Sequence, residues 1–69
     1  MTHSQHFNAI RMNLAIMTVH IDRASRLVDE AMSARNQNAA VGALLELPDK
    51  LDALQSLFGA IIAIHRNSI

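Results

Sequence analysis

The chain has no cysteine, tryptophan or tyrosine, and among its 69 residues there are two glycines, two phenylalanines and a single proline. Without cysteine there is neither the disulfide framework of a small secreted domain nor a thiolate zinc module. A chain that is 51% apolar is also no disordered tail. Six basic residues balance six acidic ones, so no long-range field draws the molecule toward DNA, RNA or anionic lipid. The longest apolar run, Leu57 to Ile64, is too short to span a bilayer, and no membrane partner is expected. The opening residues MTHSQHFN lack the basic-then-apolar order of a signal peptide, which points to the cytoplasm. Length allows one small domain, residues 1–69.

What is present is a period. Phe7, Ile10, Leu14, Met17, Ile21, Ala24, Val28 and Ala31 are spaced alternately by three and four, an a/d stripe of four heptads. Residues 4–36 contain no glycine or proline, and Thr2 with Gln5 has the spacing of a capping box. A second stripe runs through Leu44, Leu47, Leu51, Leu54, Phe58, Ile61 and His65. The two stripes are out of phase, so one continuous helix would rotate its apolar face out of line between them. Arg35-Asn36-Gln37-Asn38 is where the register resets: asparagine tolerates the left-handed conformation that ends a helix, and Asn38 is a suitable N-cap for the next. Arg35 suits the negative end of the first helix dipole. The expectation is an all-α antiparallel hairpin, with a helix at about 4–36, a turn at about 36–38 and a helix at about 39–66. Pro48 either kinks the second arm or starts a new helix there. The apolar phase passes through Pro48 without a slip, which favours a kinked continuation.

A lone hairpin has one seam with which to offset the cost of ordering the chain. Apolar residues off the seam are therefore informative. Met12, Ile16 and Val19 form a further short stripe on the first helix, and Leu57, Ile62 and Ile64 widen the face of the second. Ten of the twelve charges lie in residues 22–52, so folding back brings the charge-poor segments 5–21 and 53–65 to one end. So large an apolar patch marks an interface. The expected solution is self-association into a four-helix or larger bundle. Its interface residues would be Phe7, Ile10, Met12, Leu14, Ile16, Met17, Val19, Leu54, Leu57, Phe58, Ile61, Ile62 and Ile64.

Residues with chemistry are few. His3, His6 and His65 gather at the open end of such a hairpin, while His20 lies about 20 Å along the axis. Imidazoles suit Zn, Ni or Cu, but no HxxxH or HExxH motif accompanies them, so no metal or other cofactor is expected. Histidines near an apolar interface also make association pH-responsive. Glu46, Asp49 and Asp52 recur at i, i+3, i+6, yet only Glu46-x-x-Asp49 fits the paired acidic motifs of all-α nucleotide pyrophosphatases. With Asp22, Asp29 and Glu30 within reach of Arg26, a solvated, ion-paired face is the better account. No nucleophile–base arrangement or phosphate loop is present, so no enzyme is expected. Gly59, Ala60 and Ala63 form a small-residue patch that suits close helix packing. Arg11, Arg23 and Arg26 are candidate contacts for a small anion held between subunits, or for a nucleic-acid backbone. In length and topology the chain is similar to the plasmid RNA-regulating hairpins of the Rop type, without a shared motif. Against nucleic acid, both phenylalanines fall on seams, where they cannot stack on bases. The leading expectation is a homo-oligomeric interaction module that docks a protein partner as a small regulator, adaptor or inhibitor.

Overall fold

The computed structural model describes the backbone of residues 3–68 and side chains from Gln5 onward. The capping box expected at Thr2 lies outside the described residues, as does the side chain of His3. Three helices follow in order: α1 (His3–Met32), α2 (Gln37–Ala43) and α3 (Leu47–Asn67). α1 packs along α3 and, near its end, against α2. The result is an all-α helical hairpin, a rod of 53 × 14 × 11 Å.

The reversal begins earlier than the apolar pattern implied. α1 stops at Met32, where the Ser33 hydroxyl donates to the Asp29 carbonyl at 3.0 Å and Ala34 N–H tightens onto Ala31 O at 3.3 Å. Serine competes for the helix's own acceptors in this way, which is why a run of Ser, Arg and Asn ends a helix that alanine would prolong. Arg35 thus lies beyond the last turn of α1 instead of within it. The N-cap of the next helix is Asn36, not Asn38: its backbone is extended and its Oδ1 accepts from Ala39 N–H at 2.8 Å. No non-glycine residue among those described has a positive φ, so the chain turns without the left-handed asparagine that the sequence suggested.

The second arm is broken, not bent. Leu44–Glu46 form a turn, with Leu44 N–H donating to Val41 O and Leu47 N–H to Leu44 O, both at 3.0 Å. Pro48 then falls in the first turn of α3, where its missing N–H has no intrahelical acceptor to lose, and Asp49 faces the positive end of the dipole. The apolar phase survives because three residues of tight turn carry the chain round by about one helical turn.

Packing of the arms corrects the expected seam. On α1 the half-buried row is His6, Ile10, Asn13, Met17, His20, Ala24, Leu27 and Ala31, and Ala34 extends it into the turn. Ile10, Met17, Ala24 and Ala31 occupy it as expected, but Phe7, Leu14, Ile21 and Val28 are exposed, each replaced by the residue one position earlier. α3 repeats the shift. Leu47, Leu54 and Ile61 are half-buried, Leu51, Phe58 and His65 are exposed, and Lys50, Leu57 and Ile64 take their places. The apolar arc on each helix is wider than one neighbour can cover, so the single neighbour covers one flank of it.

Candidate interaction surface

Both exposed rows are displaced from the seam by one residue toward the C-terminus. Right-handed helices running in opposite directions turn that displacement to the same side of the hairpin. Phe7, Leu14, Ile21 and Val28 therefore share one face with Leu51 and Phe58. Phe7 is 58% exposed, Ile21 54% and Phe58 57%. The expectation that both phenylalanines are shielded is thus wrong for the isolated hairpin. Arg11 lies over the Phe7 ring, 5.7 Å from its centroid, at the edge of this face.

The remaining apolar candidates divide between two other places. Ile10, Met17, Leu54, Leu57, Ile61 and Ile64 belong to the seam between the arms. Ile16 precedes the buried row by one residue and so lies on the opposite flank, with Met12 and Val19 further round; all three are exposed. Ile62 is half-buried beside Ile61. Gly59 faces open space, with nothing within 4 Å of where a Cβ would stand, so within the hairpin it serves no close approach.

The isolated hairpin lacks an interior. No described residue is buried from solvent. The accessible surface is 5342 Å², whereas a compact monomer of 7.6 kDa exposes about 4,300 Å². The excess of about 1,000 Å² is slightly more than one partner contributes to a stable protein–protein interface, about 800 Å².

Polar groups are distributed less economically. His20 stands in the seam row with its Nδ1 cut off from solvent and without a hydrogen-bond partner. Asn13, also in that row, satisfies itself by donating to the Ala9 carbonyl at 2.9 Å. On the flank opposite the phenylalanines, Arg23, Arg26, Leu27 and Glu30 of α1 meet Glu46 and Lys50 across an open cleft of about 220 Å³. Arg23 and Arg26 are thereby brought together, while Arg11 lies apart in a shallow depression with Asn8, Met12 and Ala15. Arg26 also pairs with Asp22 at 3.2 Å, an exposed i,i+4 contact worth about 0.3–0.5 kcal/mol. The roles of Lys50 and His20 were not evident in the sequence. The signal was there: each immediately precedes a stripe residue, Leu51 and Ile21, and the seam is shifted by that one step.

Among the described residues no group of three or more His, Asp or Glu side chains is placed to hold a metal ion, so His6 and His65 do not form such a site with any other described residue. Likewise, no described helix is long and apolar enough to cross a membrane. No family model, curated protein or solved structure matches the chain.

Proposed function

We propose that the protein is a non-enzymatic interaction module whose hairpins pair, face to face, into a four-helix bundle, and which docks a macromolecular partner as a small regulator, adaptor or inhibitor. One observation carries the reading: the apolar rows of both arms lie on a single face of a hairpin that has no core of its own. In a four-helix bundle each helix touches two neighbours, so its apolar arc is centred between them and not on either one. The heptad stripes have that placement. Their Ile10–Met17 and Leu54–Ile61 halves meet within the hairpin, and their Phe7–Leu14 and Leu51–Phe58 halves are left for the other copy. A two-fold contact is self-complementary and closes, which keeps the apolar face from building open fibres. The charges crowded into residues 22–52 would then give the outer surface its selectivity for a partner.

Light scattering at 10–100 µM tests the assembly, with an expected mass of about 15 kDa, two chains of 7.6 kDa; a chain that stays monomeric at the upper concentration contradicts it. A second reading, sequestration of a small anion, draws on the cleft in which Arg23, Arg26 and Lys50 outnumber Glu30 and Glu46. Calorimetric titration with inorganic phosphate decides that one: heat that disappears in Arg23→Ala supports it, and no heat in the native chain removes it.

A further inference from the structure

All six carboxylates lie between residues 22 and 52, together with four of the six bases; residues 1–21 and 53–69 hold Arg11 and Arg66 and no acid. Because the arms run antiparallel, each hairpin is a charge dipole. Its turn-proximal end has an excess of two negative charges, and its open end an excess of two positive ones.

That asymmetry decides how two copies meet. We infer that the second copy docks head to tail, with the turn of each hairpin at the open end of the other, on a two-fold axis perpendicular to the rod. The inference rests on the pairing proposed above and specifies its geometry.

The cleft shared by Leu27, Glu30, Glu46 and Lys50 fixes which residues of the arms stand level. Leu27 lies beside about Leu47, so at 1.5 Å per residue on each arm Asp22 is level with about Asp52, and Thr18 with about Ser56. Consider first a two-fold axis parallel to the rod, with both turns at one end. Each α1 then lies against α3 of the other copy at the same level. Asp22 stands opposite Asp52 of the second copy, and Arg11 comes within roughly one helical turn of Arg66 of the second copy. Like charges meet at both ends.

In the perpendicular arrangement α1 lies against α1. The row Phe7, Leu14, Ile21, Val28 pairs end for end with itself, Phe7 on Val28 and Leu14 on Ile21, while on α3 Phe58 meets its own copy near the axis. The midpoints of the two rows, between Leu14 and Ile21 on α1 and at Phe58 on α3, stand within about one helical turn of the same level, so one axis serves both. On the rim of this contact Arg11 comes within about 3 Å of axial rise of Asp22 of the second copy, and Arg66 within about 3 Å of Asp52 of the second copy. The two-fold makes each pairing twice. Each rim pair joins opposite charges, Lys50 and Arg23 at similar levels being turned into the seam and onto the other flank, and like-charge juxtaposition disfavours the alternative.

The absence of native cysteine makes the orientation readable by cross-linking. Thr18 and Gln55 are both exposed in the hairpin and flank the shared face, so Thr18→Cys and Gln55→Cys leave the fold intact. Thr18 is within about two residues, roughly 3 Å of axial rise, of the perpendicular axis. Thr18→Cys alone is therefore expected to cross-link efficiently to itself with a short bis-maleimide, and a mixture of Thr18→Cys with Gln55→Cys to give no mixed product. A mixed product without Thr18 self-linkage overturns the head-to-tail orientation while leaving pairing intact. A dimeric mass with neither product overturns the shared face, and a monomeric mass overturns pairing and orientation together. As a charge readout, Asp22→Arg should weaken association several-fold and the exchanged pair Arg11→Asp with Asp22→Arg should restore it; an unaffected dimer in Asp22→Arg contradicts the complementarity.

Discussion

Truncating Phe58 to alanine separates a covered face from a wetted one. A phenylalanine side chain has about 200 Å² to bury, and Phe58 retains 57% of its surface in the isolated hairpin. Covering the remainder removes roughly 110 Å² from water, of which alanine keeps about a third, so the substitution forfeits about 80 Å², or about 2 kcal/mol per chain at 25 cal/mol/Å². The dimer makes the contact from both sides. The loss is then about 4 kcal/mol per dimer, or roughly a thousandfold in the dissociation constant. In a monomer the same change would alter stability by a few tenths of a kcal/mol, because the ring is mostly in water on both sides of the unfolding equilibrium. Sedimentation equilibrium across a hundredfold range of concentration measures the constant directly. Phe58→Ala is expected to shift the mass from dimer toward monomer at concentrations where the native chain is fully paired, and Met12→Ala, on the other flank, to leave it unchanged. Equal dissociation constants for the native chain and Phe58→Ala would refute the reasoning.

Three further outcomes follow from local structure. Gly59→Ala, at an exposed helix-interior position facing open space, should raise stability by about 1 kcal/mol and the thermal midpoint by about 4–8 °C, followed by circular dichroism. Asn36→Ala removes the oxygen that accepts from Ala39 N–H and should cost about 1 kcal/mol in urea denaturation, with Asn36→Asp retaining most of it. His20→Leu replaces a half-buried ring with an unpartnered Nδ1 by a side chain of similar reach and no polar atom. It should stabilise by about 1 kcal/mol or more in the same assay, and a loss of stability would mean that the ring has a partner in solution.

The hairpin was legible in the sequence because the evidence for it is redundant. Two heptad stripes, a phase reset and a polar run at 35–38 agree with one another. The details that failed lie in the two turns. Asn36 rather than Asn38 caps α2, because a phase reset marks that the chain turns but not the residue at which the next helix starts. Pro48 opens α3 rather than bending it, because the three-residue turn at Leu44–Glu46 preserves helical phase and so leaves no mark on the hydrophobic pattern. The seam was displaced for a different reason. Periodicity locates the centre of an apolar arc, here near Phe7–Ile10 and Phe58–Ile61, but it does not say how many neighbours share that arc. With one neighbour present, Leu14, Ile21 and Phe58 fall outside the contact while His20 and Lys50 fall within it. The grouping of Arg23 and Arg26 with Glu46 and Lys50 was similarly out of reach, because it depends on the level at which the arms meet, and the turn at 33–36 sets that level.

In the proposed pairing the face bearing Phe7, Leu14, Ile21, Val28, Leu51 and Phe58 is covered by another copy of the same chain. Isotope-filtered NMR on an equimolar mixture of labelled and unlabelled protein observes that cover without a substitution. Cross-peaks between labelled and unlabelled chains should arise at Leu14, Ile21 and Phe58, and none at Met12 or Val19. A mixture that shows no intermolecular cross-peaks, or shows them solely at Met12 and Val19, would contradict it.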